Sequence, residues 1–390
     1  MSLALPRTPA EEAFGFTLPH RRMEDWRWTD LRQLVDRPYP PRQAVSADQK
    51  EVERLIRSSP FSAIAATRMV FVNGHLDAAL SKRGNDDVSA RVEADEPLMR
   101  LNQAFVTDGA RLRLTGSADT PIEIIHVATR GEARTIATRT VIEVAPGSSA
   151  TVIETHVGEG AYLANPVTEI VLGKGARLDR IKADRESADA LHLSHTHVTL
   201  SEGAVLRDFT LSSGARVNRQ NGTYIMDGSG AEARISGSYL LAGRQHADTR
   251  LVVDHRVPHC TSRELYKCVM DDSARGIFQG KVMVRKDAQK TDGKQSSHGL
   301  LLSEAAEFDA KPELEIFADD VVCGHGATSG DLDHDHLFYL ESRGIPEREA
   351  KALLIAAFAG EAFETVEHDG LRQALSDFAE AWLIDHKGGR

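Results

Sequence analysis

A turn signature that returns at nearly constant intervals constrains this chain more than any other feature. Glycines close the turns at 147, 175, 203 and 230, so successive turns are separated by 28, 28 and 27 residues. A run of alternating apolar and polar residues follows each turn, as at 204–209. A repeat of this length is typical of a solenoid, in which each coil buries its apolar face only against neighbouring coils.

The texture between residues 111 and 330 supports an all-β interpretation. Short runs rich in Val, Ile, Leu and Thr are interrupted by Gly, and a helical period returns only beyond residue 330. A β-sandwich with coincidental turn spacing is the alternative, but sandwich strands recur at shorter and less regular intervals. We predict a stacked β-solenoid whose end strands are free to pair with another chain.

The two flanking regions differ from this middle. Residues 1–110 mix short helical periods with irregular sequence, which predicts a mixed helical cap. In residues 331–390, Pro346 precedes one run with helical spacing and a second run contains Trp382. Two amphipathic helices cannot form a domain alone, so this segment should pack on the solenoid or offer its apolar stripe to a partner.

Composition and charge exclude several classes of protein. The 390 residues carry 47 Lys and Arg against 58 Asp and Glu, a net charge of -11, and no basic tract suggests nucleic-acid binding. No apolar run approaches the roughly 20 residues that a membrane helix needs. The N-terminus lacks a secretory signal and the 3 cysteines lack a disulfide pattern. We therefore expect a cytoplasmic protein with reduced thiols and no membrane partner.

Catalytic motifs are missing from the sequence. It contains no Walker phosphate loop, no dinucleotide-binding glycine motif, no G-x-S-x-G elbow and no H-E-x-x-H pair. We therefore predict that the chain is not an enzyme. The alternative is a carbohydrate-active β-helix enzyme, whose paired carboxylates would lie on neighbouring coils and escape detection by sequence spacing.

Cys323 and His325 are the strongest candidate metal ligands. They follow an alternating strand, and side chains at positions i and i+2 of an extended segment face the same way. A thiolate beside an imidazole suits iron or an iron–sulfur fragment, although two ligands do not complete a tetrahedral site. The residues alone favour a structural alternative, a buried cysteine next to a hydrogen-bonded histidine.

Three histidines in one strand, His192, His195 and His197, also invite a metal interpretation. Strand alternation places His195 and His197 on one face with Leu191 and Leu193, while His192 points the opposite way. At most two of the rings can converge locally. A polar ladder on the outside of the solenoid is therefore the favoured interpretation.

The remaining candidates have structural interpretations. His334 and His336 lie in the acidic stretch 331–336, where strand gives way to helix and carboxylates favour a helix N-terminus. Cys260 and Cys268 are eight residues apart and have only His259 as a ligand-like neighbour. We predict that both are core or surface thiols.

Several stretches resemble the SufB/SufD family of iron–sulfur cluster assembly scaffolds. Within this family, Ala-Asp-Asp-Val-Val-Cys-Gly-His-Gly-Ala-Thr at 318–328 is similar to the SufD branch rather than to SufB, although Gly324 stands where the family often has Ser. The likeness spans most of the chain and is weakest from 40 to 109. The stretches that carry it are 24–30, 290–293, 297–302, 311–320, 323–328 and 337–345.

The resemblance implies a mainly β fold, a right-handed parallel β-helix flanked by helical regions. It implies a non-catalytic scaffold that pairs end to end with SufB through the β-helix and docks the ATPase SufC on residues 331–390. Cys323 and His325 would be this chain's ligands to a nascent cluster at the SufB interface, with SufB supplying the others. A role in iron acquisition is implied as well.

The resemblance also sets the expected cofactors. No cofactor is expected to bind stably to the isolated chain, and iron or an iron–sulfur cluster would be shared transiently with SufB. A reduced flavin in the complex and a homodimer of the isolated chain are further expectations. The alternative within the family is a purely structural partner of SufB that does not touch the cluster.

Overall fold

The repeat folds into a stack of coils, each of which contributes one strand to each of two sheets. The computed structural model describes residues 7–41, 47–82 and 96–387. The strands are β1 (Thr67–Val72), β2 (His75–Leu76), β3 (Val106–Leu114), β4 (Ile122–Ala128), β5 (Thr135–Val144), β6 (Ser149–Gly158), β7 (Leu163–Leu172), β8 (Arg177–Arg185), β9 (Leu191–Leu200), β10 (Val205–Ser212), β11 (Val217–Met226), β12 (Glu232–Leu241), β13 (His246–His255), β14 (Thr261–Met270), β15 (Arg275–Val284), β16 (Asp292–Leu301), β17 (Glu307–Ile316) and β18 (Val322–Gly330).

Strand order confirms the predicted parallel solenoid. Sheet A has 8 strands in the order β17-β15-β13-β11-β9-β7-β5-β3, and sheet B has 10 in the order β18-β16-β14-β12-β10-β8-β6-β4-β1-β2. Strands that are neighbours in a sheet belong to successive coils and run parallel, whereas β1 and β2 form an antiparallel hairpin. A sandwich of antiparallel sheets is therefore excluded.

The backbone conformation at the corners of the coils explains the glycine repeat and the point at which the repeat stops. Gly147, Gly175, Gly203 and Gly230 have φ angles of 67°, 64°, 63° and 72°, a left-handed conformation that is costly for residues with a Cβ. At the next corners non-glycine residues adopt this conformation, and the coils lengthen, so the regular glycine spacing ends. Asp208, Ile235, Glu264, Gln295 and His325 occupy equivalent positions and are 27, 29, 31 and 30 residues apart.

The inward-facing side chains of each strand are apolar near one end of the strand and polar towards the other. Leu178, Leu206 and Val198 belong to the main core and are fully buried. Each such side chain contributes roughly 1.5–3 kcal/mol through removal from water. Further along the same strands, inward positions carry charges, among them Arg180 and Asp208, which pair at 2.9 Å.

The N-terminal region covers the outside of the first coils. Trp26 and Leu31 pack against outward leucines of β7 and β9, and Val52 packs against β4. As β1 is itself a strand of sheet B, this region also begins the solenoid. Its helices are α1 (Pro9–Phe14), α2 (Leu31–Leu34), α3 (Gln49–Arg57) and α4 (Pro97–Phe105), with a 3-10 turn at Glu24–Trp26.

The C-terminal helices cover the outer face of sheet B, which confirms that they pack on the solenoid. The ring of Phe363 meets that of Phe209 edge-on, with centroids 5.8 Å apart. Ile355, Leu371 and Trp382 are buried in the same cluster. In the described ranges, no helix combines the length and apolar character needed to span a bilayer. The helices are α5 (His334–Ser342), α6 (Glu347–Phe363) and α7 (Asp369–Lys387).

Candidate functional site

The last coil leaves the solenoid open at one end. Among the described strands, β17 pairs only with β15, and β18 pairs only with β16, so each is an edge strand of its sheet. Three apolar side chains near these edges are accessible to solvent, Ile316, Phe317 and Val322, with exposures of 40%, 61% and 64%. Unpaired backbone groups with an apolar rim form a template for strand addition.

Cys323 and His325 lie on the edge strand β18. Cys323 is opposite Gly293 and His325 is opposite Gln295, so both occupy inward-facing positions of the final coil. Cys323 is half-buried against a small apolar cluster that includes Val282, whereas His325 is exposed. The structural alternative of a buried cysteine–histidine pair therefore does not fit. The structure places both side chains where a second subunit can reach them.

The surroundings keep the thiol protonated in the isolated chain. Burial raises the pKa of Cys323, and a backbone hydrogen bond at Gly293 opposes this increase only in part. A thiolate is the form that binds metals, and a metal ion itself promotes loss of the proton. Binding of a metal ion to Cys323 should therefore release the proton of the thiol. It should also depend on which molecule approaches the open end of the solenoid.

A buried carboxyl group lies below His325 in the same column of side chains. Gln295 Nε2 donates a hydrogen bond of 2.6 Å to Glu264 Oε2. Burial raises the pKa of Glu264 to about 7, with the bond from Gln295 acting in the opposite direction. Sequence analysis missed this pair because its spacing from His325 follows the longer coils, which the glycine repeat does not reveal.

The three-histidine strand is β9, and its predicted alternation is confirmed. His195 and His197 share the outer face with Leu191 and Leu193, but the N-terminal region covers this face and buries His195. The predicted polar ladder on the outside of the solenoid is therefore wrong, since His195 is buried under the N-terminal region and His192 is buried on the inward side. Alternation separates two faces of a strand, but it does not tell which face another segment covers.

Two other predictions agree with the structure. The side chain of Asp333 accepts hydrogen bonds from the backbone of Asp335 and His336, at 2.9 and 3.1 Å, and so caps α5. Cys260 and Cys268 are buried in the main core, where burial raises the pKa of each thiol. Neither thiol is placed to react at the surface.

A second apolar surface lies on the C-terminal helices. Phe338, Tyr339 and Leu353 are exposed by 71%, 56% and 49%, and α5 has no buried residue. A groove of about 610 Å³ separates α5 and α6 from the end of β18, with Leu354 and Phe358 in its lining. Exposed apolar side chains beside a groove make this face a candidate surface for another protein.

Comparison with known proteins gives a consistent result. The family model described as "SUF system FeS cluster assembly, SufBD core domain" matches residues 101–358. The iron–sulfur cluster assembly protein SufD of Escherichia coli (strain K12) is 32% identical over 379 residues, which cover 92% of this chain and 88% of that protein. A SufBD family protein of Synechocystis sp. is 30% identical, with 92% and 86% covered. SufD of Bacillus subtilis is 28% identical, with 74% and 68% covered.

Proposed function

This chain belongs to the SufB/SufD family of iron–sulfur cluster assembly proteins, as a member of the SufD type, and on that premise we propose that it is a scaffold subunit that shares a nascent cluster with SufB. A role in iron–sulfur cluster assembly follows from the family. The proposal adds SufB as the partner, the open end of the solenoid as the contact surface, and Cys323 and His325 as the ligands. It also places the protein in the cytoplasm, as a component that brings iron to the complex without catalysing a reaction itself.

The observation that carries the proposal is the position of Cys323 and His325 on the edge strand β18. A homologous solenoid that added a strand to this edge would bring its own side chains next to the thiol and the imidazole. Cysteine and histidine are established ligands of iron–sulfur clusters, and the second subunit would complete the coordination. The apolar rim formed by Phe317 and Val322 would be buried in the contact.

The C-terminal helices are the proposed docking surface for the ATPase SufC. Phe338 and Tyr339 project from α5, which buries none of its side chains in this chain. The adjoining α6 is anchored on sheet B through Ile355 and Phe363. Movement of a docked ATPase would therefore act on the face of the sheet that ends at β18. A reduced flavin would be a substrate or component of the whole complex.

The test is cluster formation by the complex of this chain with SufB and SufC. We expect His325→Ala to leave assembly of the three subunits intact and to reduce cluster absorbance roughly 10-fold or more, because loss even of a residue that only orients a ligand weakens a metal site by about this factor. Cys323→Ser should act in the same direction. His20→Ala, a partly exposed histidine of the N-terminal region, is the matched control.

Normal cluster yield in both variants would contradict the ligand assignment and leave the purely structural role. Failure to capture SufB would contradict the partner, and a homodimer of the isolated chain would then be the pairing to examine. The carbohydrate-active alternative requires polysaccharide cleavage by the chain alone. The family assignment favours the assembly role over this alternative.

A further inference from the structure

A second group of potential metal ligands lies inside the solenoid, several coils away from the open end. His156 on β6 and Asp184 on β8 are in register on neighbouring coils of sheet B. His192 on β9 belongs to the opposite sheet and faces them across the interior. One ligand atom from each residue lies within 4.8 Å of the other two, and all three side chains are buried.

The donor set suits a divalent transition-metal ion. Two imidazoles with one carboxylate, leaving other positions open, form a common coordination set for iron(II), and the same ligands bind zinc. The ring of His126 stacks on that of His156, with centroids 4.6 Å apart, and holds its orientation.

Asp184 presents one oxygen to this site. Gln220 Nε2 donates to its Oδ2 at 2.8 Å, and Asn218 Nδ2 donates to the same atom at 3.3 Å. The other oxygen, Oδ1, has no hydrogen-bond partner among the described residues and lies 3.6 Å from His192 Nε2. A buried carboxylate oxygen without a partner is costly unless a cation satisfies it.

The second nitrogen of His192 faces another carboxylate. Nδ1 lies 2.6 Å from Glu186 Oε2, although the angle departs from that of a hydrogen bond. A metal-bound histidine usually directs its remaining ring nitrogen at a carboxylate, which fixes the tautomer and orients the ring. Glu186 is placed for this role, with His192 Nε2 left to face Asp184.

A lysine now stands where the cation would bind. Lys182 Nζ lies 2.9 Å from His192 Nε2 and 3.3 Å from Asp184 Oδ2. The same ammonium donates a hydrogen bond of 3.1 Å to Ser194 Oγ, and its single charge lies beside the Asp184 carboxylate, where a divalent ion would bind more strongly. An adjoining cavity of about 20 Å³, lined by His156 and Glu186, is large enough for about one water molecule as a further ligand.

We propose that His156, Asp184 and His192 form an interior site for a divalent first-row transition-metal ion, and that Lys182 holds the position of the cation when the ion is absent. The expectation that Fe²⁺ is the ion in the cell rests on the proposed function. The site itself follows from its ligands and stands apart from Cys323 and His325. Its side chains all come from this chain, so no partner subunit is needed to complete it.

The test measures metal binding by the full-length chain carrying Cys323→Ser and His325→Ala, so that the open end is silent. We expect one equivalent of Fe²⁺, added without oxygen, or of Zn²⁺ to bind, and Mg²⁺ to fail to compete. Asp184→Asn, which keeps the size of the side chain, should weaken the affinity roughly 10-fold or more. The matched control is His255→Asn, at a histidine buried in the interior of another coil.

Lys182→Met supplies a second measurement that does not depend on removing a ligand. Loss of the competing ammonium should tighten metal binding by about 10-fold, whereas a purely structural lysine would only lower the melting temperature. Absence of saturable binding, equal binding by the Asp184→Asn protein, or unchanged affinity in Lys182→Met would each overturn the proposal. Cluster formation by the wild-type complex is not measured here, so failure of this site is distinguishable from failure of the proposed function.

Discussion

Among single residues, Glu264 shows how burial in the solenoid interior changes the pKa of a carboxyl group. Its carboxyl group is buried with Gln295 as its hydrogen-bond donor, and Oε1 has no partner among the described residues. Burial raises its pKa to about 7 from 4.5. The folded protein therefore holds a proton that the unfolded chain has released between these two pH values.

This proton makes stability depend on pH in a defined direction. Since the folded protein binds more protons than the unfolded chain between pH 4.5 and about 7, the free energy of unfolding should fall as pH rises through this window, by about 3 kcal/mol. Glu264→Gln should remove this part of the dependence. Urea unfolding at pH 5 and pH 8 measures it, with the exposed Glu304→Gln as control. If the free energy of unfolding changes with pH by the same amount in wild type and in Glu264→Gln, the assignment of this proton to Glu264 is wrong.

At the scale of elements, sequence patterns predicted the coils but not everything that surrounds them. The spacing of Gly147, Gly175 and Gly203 predicted the solenoid because a left-handed corner favours glycine. The same corner at His259 and Lys290, with φ of 64° and 63°, was invisible because the neighbouring contacts, and not the residue type, impose the conformation. Cys323 and His325 were predicted as candidate ligands from a local motif, whereas the set around His192 depends on contacts between coils and could not be predicted from the sequence.

Packing of α6 on sheet B gives a prediction with an internal control. Phe363→Ala should destabilise the docked helices by about 3–5 kcal/mol, because a buried aromatic ring leaves a cavity. Leu353→Ala, on the same helix but 49% exposed, should leave stability nearly unchanged and weaken binding of the ATPase instead. Hydrogen exchange in α6 and α7 measures the first effect, and co-purification measures the second. Equal hydrogen-exchange protection of α6 and α7 in the two variants would contradict the packing of α6 on sheet B.

The cap of α5 is a further prediction at this scale. Asp333→Ala removes the acceptor for two backbone N–H groups and should cost the helix about 1 kcal/mol. As α5 buries no side chain, it has little packing to compensate for this loss. Exchange of its amide protons should become faster, while Asp331→Ala, just before the cap, serves as control. Unchanged exchange in Asp333→Ala would mean that another contact holds the helix.

At the scale of the whole molecule, the two exposed apolar surfaces lie at different places. A substitution in one surface should therefore leave binding at the other unchanged. One is the rim of the open end around Val322, and the other is formed by Phe338 and Tyr339 on α5. A scaffold that links an ATPase to a second solenoid needs both surfaces at once. Damage to one should therefore release one partner while the other stays bound.

Val322→Asp tests the first surface. A charge on the edge strand must lose its hydration when the interface forms, so we expect association with SufB to weaken roughly 10-fold, or about 1.4 kcal/mol. Val171→Asp places the same charge on a strand valine that is 48% exposed elsewhere in the solenoid. Size-exclusion chromatography of the mixed subunits measures the difference. Equal retention of SufB by both variants would exclude the open end as the interface.

The hairpin of β1 and β2 has a consequence for how far such a molecule can polymerise. One extremity of sheet B ends in this short antiparallel hairpin, and the other ends in the edge strand β18. Growth of a fibre through sheet B requires strand addition at both extremities, and β2 offers 2 residues for pairing whereas β18 offers 9. If two solenoids pair through β18, the extremity of sheet B that remains has only this short edge, which limits further strand addition and aggregation.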